Sequence, residues 1–304
     1  MISVIMLTYN RENFVSRAIE SVLKQTFPDF EFIIINNGSI DRSGEIAEEY
    51  SAGDSRIRVL HRERGNIGSG RNAGLDAARG DYIAFIDDDD WCEPDFLELL
   101  YNLAKENNAD VSICGGKVEG KDFQEYGKIV MNAEEALLEL MKRKKYNMAF
   151  PTKMFTRELS KKIRFPEHGM YDDISQMHRM LAIANKIAYH GLPKYTFYRH
   201  ETNNSAWTTN HSLLNAKTLN EYLRTYRDRT EWLSSMFPNS TAAWRYFEWS
   251  FMISMVEKIN KLEIKDCERQ LDSMLHELRE NKDEFLQSGF IQEFEKKWME
   301  IYVH

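Results

Sequence analysis

Along the first third of the chain, short apolar runs rich in β-branched residues alternate with segments whose apolar positions recur every three or four residues. Residues 3–8, 31–35, 57–61 and 82–86 read as strands, and 14–24, 43–50 and 69–78 as helices. This alternation predicts a largely parallel sheet covered on both faces, with ligands bound beyond the carboxyl ends of its strands. That rule gathers Thr8-Tyr9-Asn10, Asn36-Asn37-Gly38-Ser39 and Asp87-Asp88-Asp89-Asp90 on one edge, because each cluster directly follows a predicted strand.

Farther on, the pattern predicts a helix over 95–105, a buried strand over 111–114, and a strand or loop followed by a helix over 133–143. A helix over 174–184, a strand over 187–190 and a third apolar segment over 195–198 follow. Beyond about Trp207 glycine almost disappears and helical periodicity takes over. Trp244, Phe247, Phe251, Met255, Ile259 and Leu262 share one helical face. Leu271, Met274, Leu275 and Leu278 form a second stripe, and Phe290, Phe294, Trp298 and Ile301 a third. A small helical bundle packed on the first domain accounts for all three. Membrane-surface docking or dimerisation through Trp249, Phe251 and Met252 is the alternative.

Four adjacent carboxylates at the end of the apolar run Ile83-Ala84-Phe85-Ile86 change this picture most. Like charges crowded at the end of a buried strand repel unless a cation sits against them. A hard divalent ion held by one or two carboxylates keeps positions for phosphate oxygens, which points to a nucleoside diphosphate. The plainer alternative is an acidic turn ahead of a helix N-terminus.

Composition narrows the field. With 304 residues, 42% of them hydrophobic and 29% charged, the chain has the make-up of a soluble globular protein. A net charge of -8 argues against broad nucleic-acid binding, and the basic run Lys142-Arg143-Lys144-Lys145 reads as a solvated face. Cys92, Cys114 and Cys267 are too widely spaced for a zinc site or a disulfide framework, which favours a reducing compartment. The opening Ile2-Ser3-Val4-Ile5-Met6-Leu7 reads as a strand, not a signal peptide, and no apolar run approaches the roughly 20 residues that span a bilayer. The expected location is cytoplasmic, or peripheral at the inner face of the membrane.

The ordered set Val4-Ile5-Met6-Leu7-Thr8-Tyr9-Asn10, Ile33-Ile34-Ile35-Asn36-Asn37-Gly38-Ser39-Ile40-Asp41, Arg71-Asn72-Ala73-Gly74 and Asp87-Asp88-Asp89-Asp90 resembles the family 2 glycosyltransferases across roughly the first 200 residues. The resemblance implies a GT-A nucleotide-diphospho-sugar transferase fold, Rossmann-like and mostly parallel, over 1–205, with a helical C-terminal region over 206–304. It implies inverting transfer from a nucleotide-sugar donor, usually a UDP-sugar, to a glycan or lipid-linked glycan acceptor of a bacterial surface polymer, with Mn²⁺ or Mg²⁺. Carried over residue by residue, Asp89 takes the metal-binding position of the D-x-D motif, and Asp87 and Asp88 contact ribose or the metal's water shell. Asp90 is left as a cap for the helix that includes Phe96. Thr8, Tyr9 and Asn10 lie at the donor edge, with Tyr9 stacking on uracil. Asn37 stands where the family commonly has an aspartate accepting the uracil N3–H; it can accept through its carbonyl or serve as a turn residue. Arg71 is expected on the diphosphate.

In Gly169-Met170-Tyr171-Asp172-Asp173, the resemblance makes Asp173 the general base and Asp172 its support. His200, in Tyr198-Arg199-His200, falls where some members place a further metal ligand, and Arg199 is a second candidate for phosphate. Lys153 matches a lysine of the family, although Pro151-Thr152 replaces the Trp-Asn pair that usually precedes it. Two rivals remain. A sugar-nucleotide nucleotidyltransferase would carry a glycine-rich basic loop after the first strand, where this chain has Thr8-Tyr9-Asn10-Arg11-Glu12. A non-catalytic binding or scaffold protein of the same fold would have less reason to retain Asp89 and Asp173.

Overall fold

Strand β1 (Ile2–Thr8) is buried along almost its whole length because parallel neighbours flank it on both sides. These are β2 (Phe30–Asn36), which continues to β3 (Ile57–His61), and β4 (Tyr82–Asp87). Burial on both faces explains why these strands read as continuous apolar runs. The computed structural model describes residues 1–121, 127–168, 172–201, 203 and 210–304. Within them a mixed sheet runs β3-β2-β1-β4-β8-β6-β9-β5, with β7 (Ile129–Met131) paired to β9. Helices α1 (Val15–Leu23), α2 (Ser43–Gly53), α3 (Ile67–Ala77) and α4 (Phe96–Asn107) complete the strand–helix alternation of the first third.

The sheet departs from the sequence reading where glycine, proline or a charge interrupts an apolar run. Strand β6 (Val111–Val118) continues past Cys114, and β9 (Ile187–Phe197) is one strand where two segments were expected. The pair shifts register at Gly115, and Pro193 lies opposite that glycine, so the interruption is a bulge and not an end. Strand β8 (Lys153–Thr156) was not expected, because a lysine opens it. It runs antiparallel between β4 and β6. The short β5 (Trp91–Cys92) pairs antiparallel with β9. Helices α5 (Ala133–Lys142), α6 (Arg157–Ser160) and α7 (Asp172–Ala182) complete this part.

The chain divides into two compact units, Met1–Arg199 and His200–His304. The sequence boundary at Ser205 lies outside the described residues, as do Trp207 and the segment Gly169-Met170-Tyr171. In the second unit, α8 (Ala216–Met236), α10 (Glu268–Glu280) and α12 (Glu293–Tyr302) all pack on α9 (Thr241–Lys261), and α11 (Lys282–Leu286) follows α10.

The single apolar face expected of α9 is therefore corrected. Trp249, Met252, Ile253 and Val256 are buried along with Trp244, Met255 and Ile259, as suits a helix surrounded by others. Trp249 and Met252 belong to this core, and Phe251, half-buried, stacks on Tyr222 and Tyr226. On α12 it is Glu295 and Met299 that are buried, while Phe294 is 51% and Ile301 57% exposed. No helix among the described residues is long and apolar enough to cross a membrane. The three cysteines are buried and free of disulfides. In the basic run, Lys142 and Lys145 both pair with Glu139.

Candidate functional site

The carboxyl ends of β1, β2 and β4 lie side by side, with Thr8 registered on Asn36 and Leu7 on Asp87. The three polar clusters are thereby stitched into one edge. The Tyr9 N–H donates to Asp88 Oδ2 (3.3 Å), the Asn10 N–H to Ser39 Oγ (3.2 Å), and the Ile40 N–H to Asn10 Oδ1 (2.9 Å). Asn10 holds φ +53, a left-handed conformation that asparagine tolerates better than most residues. Its turn redirects the chain so that Arg11 faces the acidic cluster.

Both asparagines of the β2 turn are engaged by neighbouring groups, in keeping with the turn role that was one of the two expectations. Asn36 accepts from the Ser39 N–H (3.0 Å), an Asx turn, and its amide nitrogen meets His61 Nδ1 (2.9 Å). Asn37 clasps Gly65 with both ends of its amide: Nδ2 donates to the carbonyl (2.8 Å) and Oδ1 accepts from the N–H (3.2 Å). This clasp draws in the loop before α3 until the Arg64 guanidinium sits 4.4 Å above the Tyr9 ring. Gly38, at φ +81, makes that approach possible, since a Cβ there would lie 2.7 Å from the Arg64 nitrogen.

The aspartates after β4 separate into distinct roles. Asp88 and Asp89 are each 9% exposed, and the Arg11 Nε lies 3.7 Å from Asp88 Oδ1 and 4.0 Å from Asp89 Oδ2. Burial, with Asp89 beside it, pushes Asp88 up to about 8, against the Thr8 hydroxyl and Arg11. Asp90 does not cap the following helix, whose N-cap is Asp95. It accepts from the Tyr198 N–H (2.7 Å) and from the Tyr195 hydroxyl, which in turn accepts from the Asp87 N–H (3.0 Å). Asp90 thus pins the end of β9 to the acidic turn. Arg17 holds the same turn from another side: it donates to the Asp89 carbonyl (2.8 Å) while stacked between Trp91 and Tyr198 at 4.1 and 4.4 Å.

Arg71 joins this turn to the second half of the site. Helix α3 lies so close to β1 that a Cβ on Gly70 would come within 2.2 Å of Leu7 Cδ1. Asn72, the next residue, clasps Phe165 through both backbone groups (3.0 and 2.9 Å). The Arg71 Nη1 donates to Asp172 Oδ2 (2.5 Å) and to Asp173 Oδ1, and Nη2 lies 3.5 Å from Asp87 Oδ1. Burial works against its charge, but Asp172, Asp173 and Asp87 outweigh it and raise its pKa. Burial pushes Asp172 up to about 6, with Arg71 opposing. Beneath lies Lys153, fully buried, donating to the Ala149 carbonyl (2.6 Å) and brought down to about 7 by the loss of solvent.

The donor set suits a hard divalent cation. Asp88 and Asp89 are adjacent, largely dehydrated carboxylates that share the Arg11 guanidinium. Among the described residues no group of three or more ligating side chains gathers. His200 opens the second unit, where its N–H donates to Asn203 Oδ1 (2.6 Å) and its Nε2 accepts from the Asn203 amide (3.1 Å).

Sequence reasoning assigned no function to Arg11, Arg17, Arg64 or Tyr195. Arg11 alone carried a usable signal, a cation three residues past the end of β1 and directly after the three candidate donor contacts Thr8, Tyr9 and Asn10. Arg17, Arg64 and Tyr195 reach the site only through tertiary packing.

Comparison with known proteins bears on the family and the fold. The profile described as "Glycosyl transferase family 2" matches residues 3–181. The uncharacterized glycosyltransferase EpsJ of Bacillus subtilis is 43% identical over 126 residues, 41% of this chain but only 37% of EpsJ, so the chain spans little more than a third of that relative. The poly(ribitol-phosphate) beta-N-acetylglucosaminyltransferase TarP of Staphylococcus aureus is 31% identical over 234 residues, 75% of this chain and 70% of TarP. The crystal structure of S. aureus TarS 1–349 in complex with UDP-GlcNAc superposes with a TM-score of 0.63 at 18% identity, covering 93% of this chain and 89% of that one. On the strength of the matched profile, this chain belongs to glycosyl transferase family 2 and carries its GT-A fold.

Proposed function

We propose that this chain is a metal-dependent inverting glycosyltransferase that moves a sugar from a UDP-sugar to a hydroxyl of a bacterial surface glycan. The observation that carries the reading is the line of carboxylates joined by one guanidinium, from Asp87, Asp88 and Asp89 through Arg71 to Asp172 and Asp173. One half suits a diphosphate leaving group, and the other suits an acceptor hydroxyl.

Tyr9 offers its ring to the nucleobase at the end of β1, beside Thr8 and Asn10, and Arg64 lies over the same ring. Asn37 acts there by fixing the loop that carries Arg64. Asp89 would hold a divalent cation, with Asp87 and Asp88 available to the ribose and the cation's water shell. Bound Mn²⁺ or Mg²⁺ would offset the charge that develops on the diphosphate as the glycosidic bond breaks. Asp173 accepts the proton of the acceptor hydroxyl as that oxygen attacks from the face opposite the leaving group, which inverts the anomeric centre. Asp172 and Arg71 hold Asp173 in place. A UDP donor and a surface-polymer acceptor are supported by what TarS and TarP bind and modify.

The test is release of UDP from a panel of UDP-sugars by the purified protein, with and without Mn²⁺, alongside calorimetry with UDP. Asp89→Ala is expected to abolish metal-dependent UDP binding, whereas Asp173→Asn keeps UDP binding and loses turnover by about 10²-fold or more. Full turnover in Asp173→Asn would remove the base assignment. A wild-type protein that binds no nucleoside diphosphate would remove the transferase reading altogether.

A further inference from the structure

Apart from the acidic cluster, a second chain of polar side chains reaches the donor edge, this one from the surface. Glu48 on α2 meets His61 at the end of β3, its Oε1 2.8 Å from Nε2. His61 Nδ1 lies 2.9 Å from Asn36 Nδ2, and Asn36 Oδ1 accepts from the Ser39 N–H (3.0 Å). Ser39 Oγ and the Ile40 N–H then hold Asn10 by its backbone and its side chain (3.2 and 2.9 Å). A half-exposed ion pair is thereby connected to the backbone turn beside Tyr9, where the nucleobase is placed.

The donors and acceptors along this chain fix its protons. Asn36 Oδ1 is occupied by the Ser39 N–H, so the amide turns its NH₂ to His61, and an NH₂ can only donate. His61 Nδ1 must therefore accept. Its single proton then sits on Nε2 and is donated to Glu48, and every contact pairs a donor with an acceptor.

A proton added to Nδ1 would set one donor against another. Asn36 is 7% exposed, and a Cβ on Gly44 would stand 2.4 Å from its Nδ2, so α2 closes the space into which the amide could swing. The amide meets an imidazolium by presenting its oxygen, which takes the acceptor away from the Ser39 N–H and opens the turn. Among the described residues, Glu48 is the one charged side chain within ion-pair distance of His61. Other nearby charges are engaged elsewhere: Arg42 on α2 pairs with Glu45 and Glu49, and Arg58 on β3 with Glu31. The Arg62 guanidinium lies beside Gly65, with Nη2 3.1 Å from where a Cβ there would stand.

We infer that His61 and Glu48 are positioning residues for the nucleotide end of the site: neutral His61, held as its Nε2–H tautomer by Glu48, keeps the Asn36–Ser39 turn closed, and a proton on Nδ1 opens the turn and weakens donor binding. The inference rests on the glycosyltransferase reading and adds an acid-sensitive support to it. Neither residue touches the donor. Both act through Asn36, Ser39 and Asn10.

The test compares the wild type with His61→Asn, with folding checked by circular dichroism. The asparagine oxygen stands close to the place of Nδ1 and accepts from Asn36, but it takes up no proton where imidazoles titrate. Calorimetry of UDP with Mg²⁺ is run on both proteins at about pH 8 and about pH 5.5, which spans that range. Titration of UDP and of groups remote from His61 cancels in the ratio of the two acid effects. The wild type is expected to lose about 3- to 10-fold more affinity on acidification than His61→Asn, the effect of one lost N–H···O bond. Acid losses equal to within about 1.5-fold overturn the proposal.

Nuclear magnetic resonance of ¹⁵N-labelled wild type reads the relay without ligand. Neutral His61 is expected as the Nε2–H tautomer, and the Ser39 amide resonance is expected to move with the titration of the His61 ring. A neutral Nδ1–H tautomer, or a Ser39 amide that ignores the titration, overturns the proposal. These spectra decide it even where His61→Asn fails to fold. A wild type that binds no UDP at either pH, while Ser39 still follows His61, overturns the glycosyltransferase reading and the donor role together, and is thereby distinct from failure of the relay.

Discussion

Lys153 gives the sharpest prediction about the energetics of the fold. Its side chain is fully buried at the start of β8, and burial brings its pKa from 10.5 down to about 7, with Asp173 opposing. Below pH 7 both the folded and the unfolded chain carry the proton, so folding buries a full ammonium charge. Between 7 and 10.5 the unfolded state binds a proton that the folded state has lost, and stability must rise with pH. A gap of 3.5 pH units corresponds to about 5 kcal/mol of penalty at low pH, relieved at up to about 1.4 kcal/mol per unit.

Lys153→Met removes the titration but strands the Ala149 carbonyl, which offsets about 1–3 kcal/mol of the gain. The variant is therefore expected to be more stable than wild type at pH 6 by about 2–4 kcal/mol. That advantage should shrink by about 3 kcal/mol by pH 9.5. Urea denaturation of both proteins at half-unit steps across this range gives the difference curve, in which the titrations of groups remote from Lys153 cancel. A difference that stays flat with pH would refute the reasoning, because it would mean that Lys153 has the same pKa folded and unfolded.

Two further predictions concern the scaffold of the site. Asp90→Ala leaves the Tyr198 N–H and the Tyr195 hydroxyl without their carboxylate and should cost about 3 kcal/mol, read as a lower urea midpoint; an unchanged midpoint would remove Asp90 as the link between β9 and the acidic turn. Gly38→Ala places a Cβ at φ +81 against the Arg64 backbone and should cost about 1–3 kcal/mol in thermal or urea unfolding, and a melting temperature within a degree of wild type would contradict it.

Much of the site could be read in the chain because its elements are local. The strand ends after Leu7, Ile35 and Ile86 follow from alternation of apolar runs with helical periodicity. The rule that ligands sit beyond carboxyl ends then brings Thr8, Asn36 and Asp87 together before any packing is known. The structure keeps that register residue by residue. Asn37 was less legible. The same side chain can meet a base or a backbone loop, and only the position of Gly65 shows that its amide is engaged. Asp90 was misread as a cap because Tyr198, its partner, lies 108 residues away.

The sequence by itself determined the order of strands and helices in the first third, the edge on which polar residues collect, and the crowding of charge after β4. Each of these depends on residues within a turn or a strand of one another, where spacing alone sets which side chains share a face. Tertiary structure decided what that charge is balanced by. Arg71 reaches Asp172 and Asp173 across about a hundred residues, Lys153 becomes buried because β8 inserts between β4 and β6, and β9 continues through a bulge that glycine and proline disguise as an end. Ion pairing and burial depend on which distant segments meet, and a buried charge takes whichever partner the packing leaves within reach.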